Sequence, residues 1–164
     1  MKACCLLLIV ITTVQAQAQS TTWSQKRTIP RWARQEFKSH NLDRNYTVTY
    51  QLYPSYFRGD FDGDGRRDAV ILVAHKNSGK FGMVIFHGKY PQTMHTQYFM
   101  LGAGKPFGRV GDDIKWITSW SMIAESKVSI ILGNRRLPTF YGDIIKVEGK
   151  DGTKGLIHWN GKKY

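Results

Sequence analysis

The sequence predicts an α+β domain, with one N-terminal helix packed on a mostly antiparallel β-sheet of six to seven short strands. Three observations carry this. Apolar residues recur at helical spacing just after Pro30. From Asn45 onward, short segments rich in β-branched and aromatic residues alternate with polar or glycine-containing turns. No helix-length segment separates successive strands, as a parallel sheet would require.

The helix is predicted from Thr28 to about His40. Thr28 can cap it, and Pro30 fits the first turn because its missing N–H has no intrahelical partner there. Trp32, Ala33, Glu36 and Phe37 follow at helical spacing, with Trp32 and Phe37 forming the docking face. Residues 46–52 read as the first strand. Residues 69–74 are a continuous apolar run, the mark of a buried strand. The polar turn 76–80 and a second apolar segment at 83–87 complete a hairpin. Further strands are expected at 96–101, 128–132, 143–147 and 155–159. Asn160-Gly161 is the strongest two-residue turn signal, with residues 162–164 as a returning stub. The glycine-rich stretch 102–108 reads as a loop, and residues 112–120 do not resolve into helix or strand.

The first residues read as an export signal. Lys2 supplies a positive start, residues 4–11 an apolar run, and Ala16-Gln17-Ala18 a small-x-small cleavage site, cut after Ala18. The apolar run is shorter than the roughly 20 residues that span a bilayer. The predicted organisation is a signal peptide over 1–18, a flexible mature terminus over 19–27 and a single domain over 28–164. About 145 residues then remain, enough for one hydrophobic core. Both cysteines, Cys4 and Cys5, fall inside the signal, so the mature chain has no thiol for catalysis or disulfides. This composition suits a secreted or periplasmic bacterial protein.

The formal charge is +12 over 164 residues. Such a balance favours acidic partners, either an acidic protein or an anionic envelope polymer. The basic residues are scattered along the chain, which argues against a nucleic-acid groove.

Chemistry concentrates at Asp60, Asp62, Asp64 and Asp68, in the order DFDGDGRRD. Calcium takes six to eight oxygens, so several carboxylates must converge from a short stretch, and Gly65 permits the turn that brings later ligands back. The Arg66 carbonyl would occupy the seventh position of such a loop and Asp68 the ninth. The twelfth position, a glutamate in an EF-hand, is Ile71 inside a strand. The loop therefore leads into a strand rather than a helix. In this it resembles the calcium loops of FG-GAP or VCBS-type repeats of secreted and adhesive proteins, over about 15 residues. That resemblance implies a bound calcium ion. It does not carry over the propeller fold, because one copy is present and the rest of the chain has no propeller period. The wider order of segments is similar to small exported bacterial proteins and implies no activity.

Asp60 and Asp62 also resemble the aspartate pair of haloacid-dehalogenase-type phosphatases, with Asp112 and Asp113 as the later acidic motif. The flanks argue against it. Tyr56-Phe57-Arg58-Gly59 stands where an apolar strand is needed, and the parallel sheet of that family is missing from the pattern. Asp112 and Asp113 could instead add a carboxylate to the metal, and Trp116 and Trp120 could line a groove beside them. No HExxH, GxSxG or P-loop spacing is present, and no catalytic residue is assigned. The expected function is a non-catalytic binding or interaction module stabilised by calcium. The alternatives are a metal-dependent hydrolase on an anionic or wall-derived substrate, and an inhibitor or immunity protein.

Overall fold

The computed structural model describes residues 29–88, 96–108, 111–127 and 140–164. The expected leader, the mature terminus, the Thr28 cap and the strand at 128–132 lie outside the described residues.

Helix α1 (Arg31–Ser39) starts just past Pro30, which stands at its N-cap instead of inside the first turn, and a short α2 (Leu42–Asn45) comes after it. Among the described residues eight strands follow: β1 (Tyr46–Val48), β2 (Tyr56–Gly59), β3 (Asp68–His75), β4 (Phe81–Phe86), β5 (Tyr98–Gly102), β6 (Ile117–Ile123), β7 (Tyr141–Gly149) and β8 (Lys154–Trp159). All strand pairings are antiparallel. They form two sheets where the sequence predicted one. The first has the order β1-β3-β4-β5, with β2 also on β3, and the second is β6-β7-β8.

β3 and β4 explain why their sequences are apolar throughout. Both are covered on two sides. Val70, Leu72, Met83 and Ile85 face the second sheet, meeting Ile117, Trp120, Ile145, Val147 and Ile157. Ala69, Ile71, Val73, Val84 and Phe86 face the helices, meeting Ala33, Phe37 and Leu42. A strand covered on one side alternates polar and apolar residues, whereas one covered on both does not. The molecule is thus layered as helices, five-stranded sheet and three-stranded sheet.

The edge of β3 is shared. β1 pairs with Val73 to His75, and β2 with Asp68 to Ile71. The expected strand at 46–52 is cut short at Val48, because the chain must turn to let β2 take the other half of that edge. Trp120 closes this turn by donating its indole N–H to the Pro54 carbonyl at 2.7 Å. β2 was not expected, since Arg58 and Gly59 weaken its strand signal. Its far end delivers the chain into the aspartate loop.

Candidate metal centre

The loop between β2 and β3 is anchored by Phe61, fully buried in the core between the two sheets. The flanking Asp60 and Asp62 are half-buried. Asp60 organises the turn. Its Oδ1 accepts the N–H groups of Gly63 (2.8 Å) and Asp64 (3.1 Å), and its Oδ2 accepts that of Gly65 (2.8 Å). Asp62 accepts from the Asp64 N–H, and Asp64 from the Arg66 N–H at 2.8 Å. Gly63 and Gly65 take φ of +76° and +80°, left-handed values that a residue with a Cβ adopts only under strain.

The second sheet clasps this loop. Asp143 on β7 accepts the Asp60 N–H through Oδ2 at 3.0 Å, and its own N–H donates to the Asp60 carbonyl. Gly142 lies so close that an added Cβ would strike the Asp60 carbonyl and the Gly63 nitrogen.

Asp68 opens β3 and is turned inward, fully buried. Its Oδ2 accepts the Phe61 N–H and its Oδ1 the Gly88 N–H, both at 2.7 Å. Burial pushes its carboxyl up to about 7, against the Gly88 hydrogen bond, which pulls the other way. Burial likewise raises Asp62, and the neighbouring charges of Asp64 and Asp60 add to it. His87, just past β4, is buried with Nδ1 2.9 Å from Asp62 Oδ2 and Nε2 2.7 Å from the Tyr164 hydroxyl. Phe99, Trp159 and Tyr164 surround its ring at centroid distances of 4.9, 5.2 and 5.7 Å. The Tyr164 hydroxyl is raised by burial and then by the charges of Asp68, Asp62 and Asp60.

Two donor sets result. Asp60, Asp62 and Asp64 offer oxygens within 4.8 Å of one another, and so do Asp62, Asp68 and His87 with two oxygens and a ring nitrogen. The first set is all oxygen, with Asp60 and Asp62 half-buried and Asp64 exposed, which fits a hard cation such as calcium. A cation there would also relieve the mutual repulsion that raises Asp62. Arg66 is exposed, its guanidinium 3.6 Å from Asp64.

No family model, curated protein or solved structure matches the chain. The site therefore stands on its geometry.

Asp112 and Asp113 are not brought to this loop. Asp112 pairs with Lys80 at 2.5 Å, and Asp113 accepts the N–H groups of Phe81 and Lys115 at 3.0 Å. That is the Phe81 end of β4, whereas His87 and Gly88 follow its other end. A strand of this length separates the two places by roughly 17 Å. Asp112 is held below the usual carboxylate range by the Lys80 hydrogen bond. Trp120 is buried against Phe57, ring centroids 4.4 Å apart, and belongs to the core. Trp116 lines an apolar cavity of about 280 Å³ with Phe107, Ile157 and Tyr164.

Asp143, Gly142, His87 and Tyr164 stand in no local motif that would mark them as site residues. The only local sign of Asp143 was its place before the apolar pair Ile144-Ile145, which echoes Asp68 before Ala69-Val70.

Proposed function

We propose that this chain is a small exported calcium-binding protein in which the ion is structural and the folded domain serves as a non-catalytic binding module. The observation that carries the reading is the convergence of Asp60, Asp62 and Asp64 on one locus, in a loop that enters β3 and is clasped by β7. An ion there would join the start of the central strand to the second sheet and stabilise the fold by mass action. Export rests on Lys2, the apolar run over 4–11 and the Ala16-Gln17-Ala18 site.

The hydrolase alternative requires a further acid or base beside the ion. Asp112 and Asp113, its candidates, pair with Lys80 and the Phe81 N–H at the far end of β4, so no specific observation favours it.

Thermal unfolding with millimolar calcium and with excess chelator tests the proposal. Calcium is expected to raise the melting temperature by several degrees. Identical melts in both conditions would sink it.

A further inference from the structure

A cleft of about 290 Å³ opens between α1 and the start of the first sheet, lined by Trp32, Glu36, Arg58, Arg67, Gly88 and Thr96 among others. Two of these side chains are cationic and exposed. Among the described residues, neither Arg58 nor Arg67 forms an ion pair with a carboxylate.

Some other cations of this basic chain do have partners. Lys80 meets Asp112, Lys146 and Lys154 meet Glu148, Arg66 approaches Asp64, and Lys76 donates to the Asp43 carbonyl. The cleft does contain a carboxylate, Glu36, but its Oε2 is turned to Thr96 and His40. It accepts the Thr96 hydroxyl at 2.8 Å and the Thr96 N–H at 3.2 Å, and lies 3.4 Å from the His40 ring nitrogen.

The placement of the two arginines follows from the fold. Arg58 sits opposite Ala69 in the β2–β3 register and shares a face with Tyr56, which packs on the helix side of the sheet. Arg67 immediately precedes Asp68, the first residue of β3. Gly88 leaves room beside it, since a Cβ there would strike the Arg67 carbonyl. Trp32, partly buried on α1, adds a flat apolar wall.

The geometry points to a binding site for a phosphoryl oxyanion, with Arg58 and Arg67 as its two cationic arms and Trp32 as the wall for the group that carries it. A guanidinium presents a fixed fork of N–H donors that matches phosphate oxygens in pairs. A phosphoryl group presents its non-ester oxygens in a tetrahedral array, so two guanidinium forks can reach it from different sides, whereas a single planar carboxylate satisfies one. The volume holds one phosphorylated group of small-sugar size. This rests on the binding-module reading and names the ligand class for it.

The test uses isothermal titration of the full chain with glycerol phosphate, and with polyglycerol phosphate as a second arm. Each is run in calcium and in chelator. The expected result is saturable one-to-one binding of glycerol phosphate that falls at least tenfold in Arg58→Gln/Arg67→Gln. Lys105→Gln removes an exposed charge just past β5, at the end of the sheet away from Arg67, and should leave the affinity unchanged. Tighter binding of the polymer per phosphate would place the natural source in a polymer, and equal binding would place it in a small molecule. Absence of binding by either probe overturns the site, as does an equal loss in Lys105→Gln and Arg67→Gln, which would reveal bulk charge attraction. Unchanged melting curves of the variants confirm that folding is intact. Phosphate binding without any calcium-dependent melting shift would sink the calcium reading alone. A calcium shift without phosphate binding would sink this site alone.

Discussion

Asp143 holds Asp60 from two directions, accepting its N–H at 3.0 Å through the side chain and donating its own N–H to the Asp60 carbonyl. The two residues are 83 positions apart: Asp60 follows β2 of the first sheet, and Asp143 lies on β7 of the second. The aspartate loop is therefore part of the joint between sheets rather than a free surface turn. Asp143→Ala removes the side-chain half of this joint and orphans the Asp60 N–H. It is expected to cost about 1–3 kcal/mol in urea unfolding, and to shrink the calcium-induced melting shift. An Asp143→Ala protein as stable and as calcium-responsive as wild type would show that the clasp does not matter.

Gly142 makes that clasp sterically possible. Its φ is +77°, and a Cβ would collide with the Asp60 carbonyl and the Gly63 nitrogen, which are backbone atoms that cannot swing away. Gly142→Ala is expected to destabilise by roughly 2 kcal/mol or more, combining left-handed strain with displacement of the loop. Equilibrium unfolding measures it. Gly152→Ala, with a similar φ of +81° but open space around it, serves as the control and should cost less.

Asp62 belongs to both donor sets. Asp62→Ala should abolish the calcium-dependent rise in melting temperature. Asp112→Asn and Asp113→Asn should leave it intact, because those carboxylates serve Lys80 and the Phe81 N–H instead. A calcium response lost in Asp112→Asn and kept in Asp62→Ala would reverse the assignment.

Asp68 sets a pH dependence in chelator. Its folded carboxyl titrates near 7, above the ordinary value of 3.8. A raised folded value means that the folded state binds the proton more tightly. The stability this contributes is complete below about pH 4 and is lost as pH rises through 7. The change is on the order of a few kcal/mol. The melting temperature in chelator should therefore fall between pH 5 and pH 8, and Asp68→Asn should flatten that slope. The variant's absolute stability says less, because an amide cannot accept both the Phe61 and Gly88 N–H groups as the carboxylate does. A wild-type slope unchanged in Asp68→Asn would assign the effect to another group.

Much of the fold was legible because it is local. The apolar run at β3, the turn over 76–80, the strand at 83–87 and the helix after Pro30 all follow from spacing within a few residues. Asn160-Gly161 has the composition of a hairpin turn, and the chain does turn there, with Asn160 Oδ1 accepting the Lys162 and Lys163 N–H groups. Instead of a returning strand, however, Tyr164 comes back to His87. The short β2 was missed because Gly59 and Arg58 suit the edge of β3 rather than strand propensity.

By itself the sequence determined the antiparallel β character, the helix ahead of it and the spacing of Asp60, Asp62 and Asp64. Steric preference and side-chain periodicity act over neighbouring residues and leave their mark there. Only the tertiary structure decided that the strands divide into two sheets, that Asp143 clasps Asp60, and that His87 stands behind Asp62. It also decided that Asp112 and Asp113 lie at the opposite end of β4 from the loop. A strand's pattern tells which faces are buried but not what covers them. Those partners, up to 83 residues away, are chosen by the packing of whole sheets.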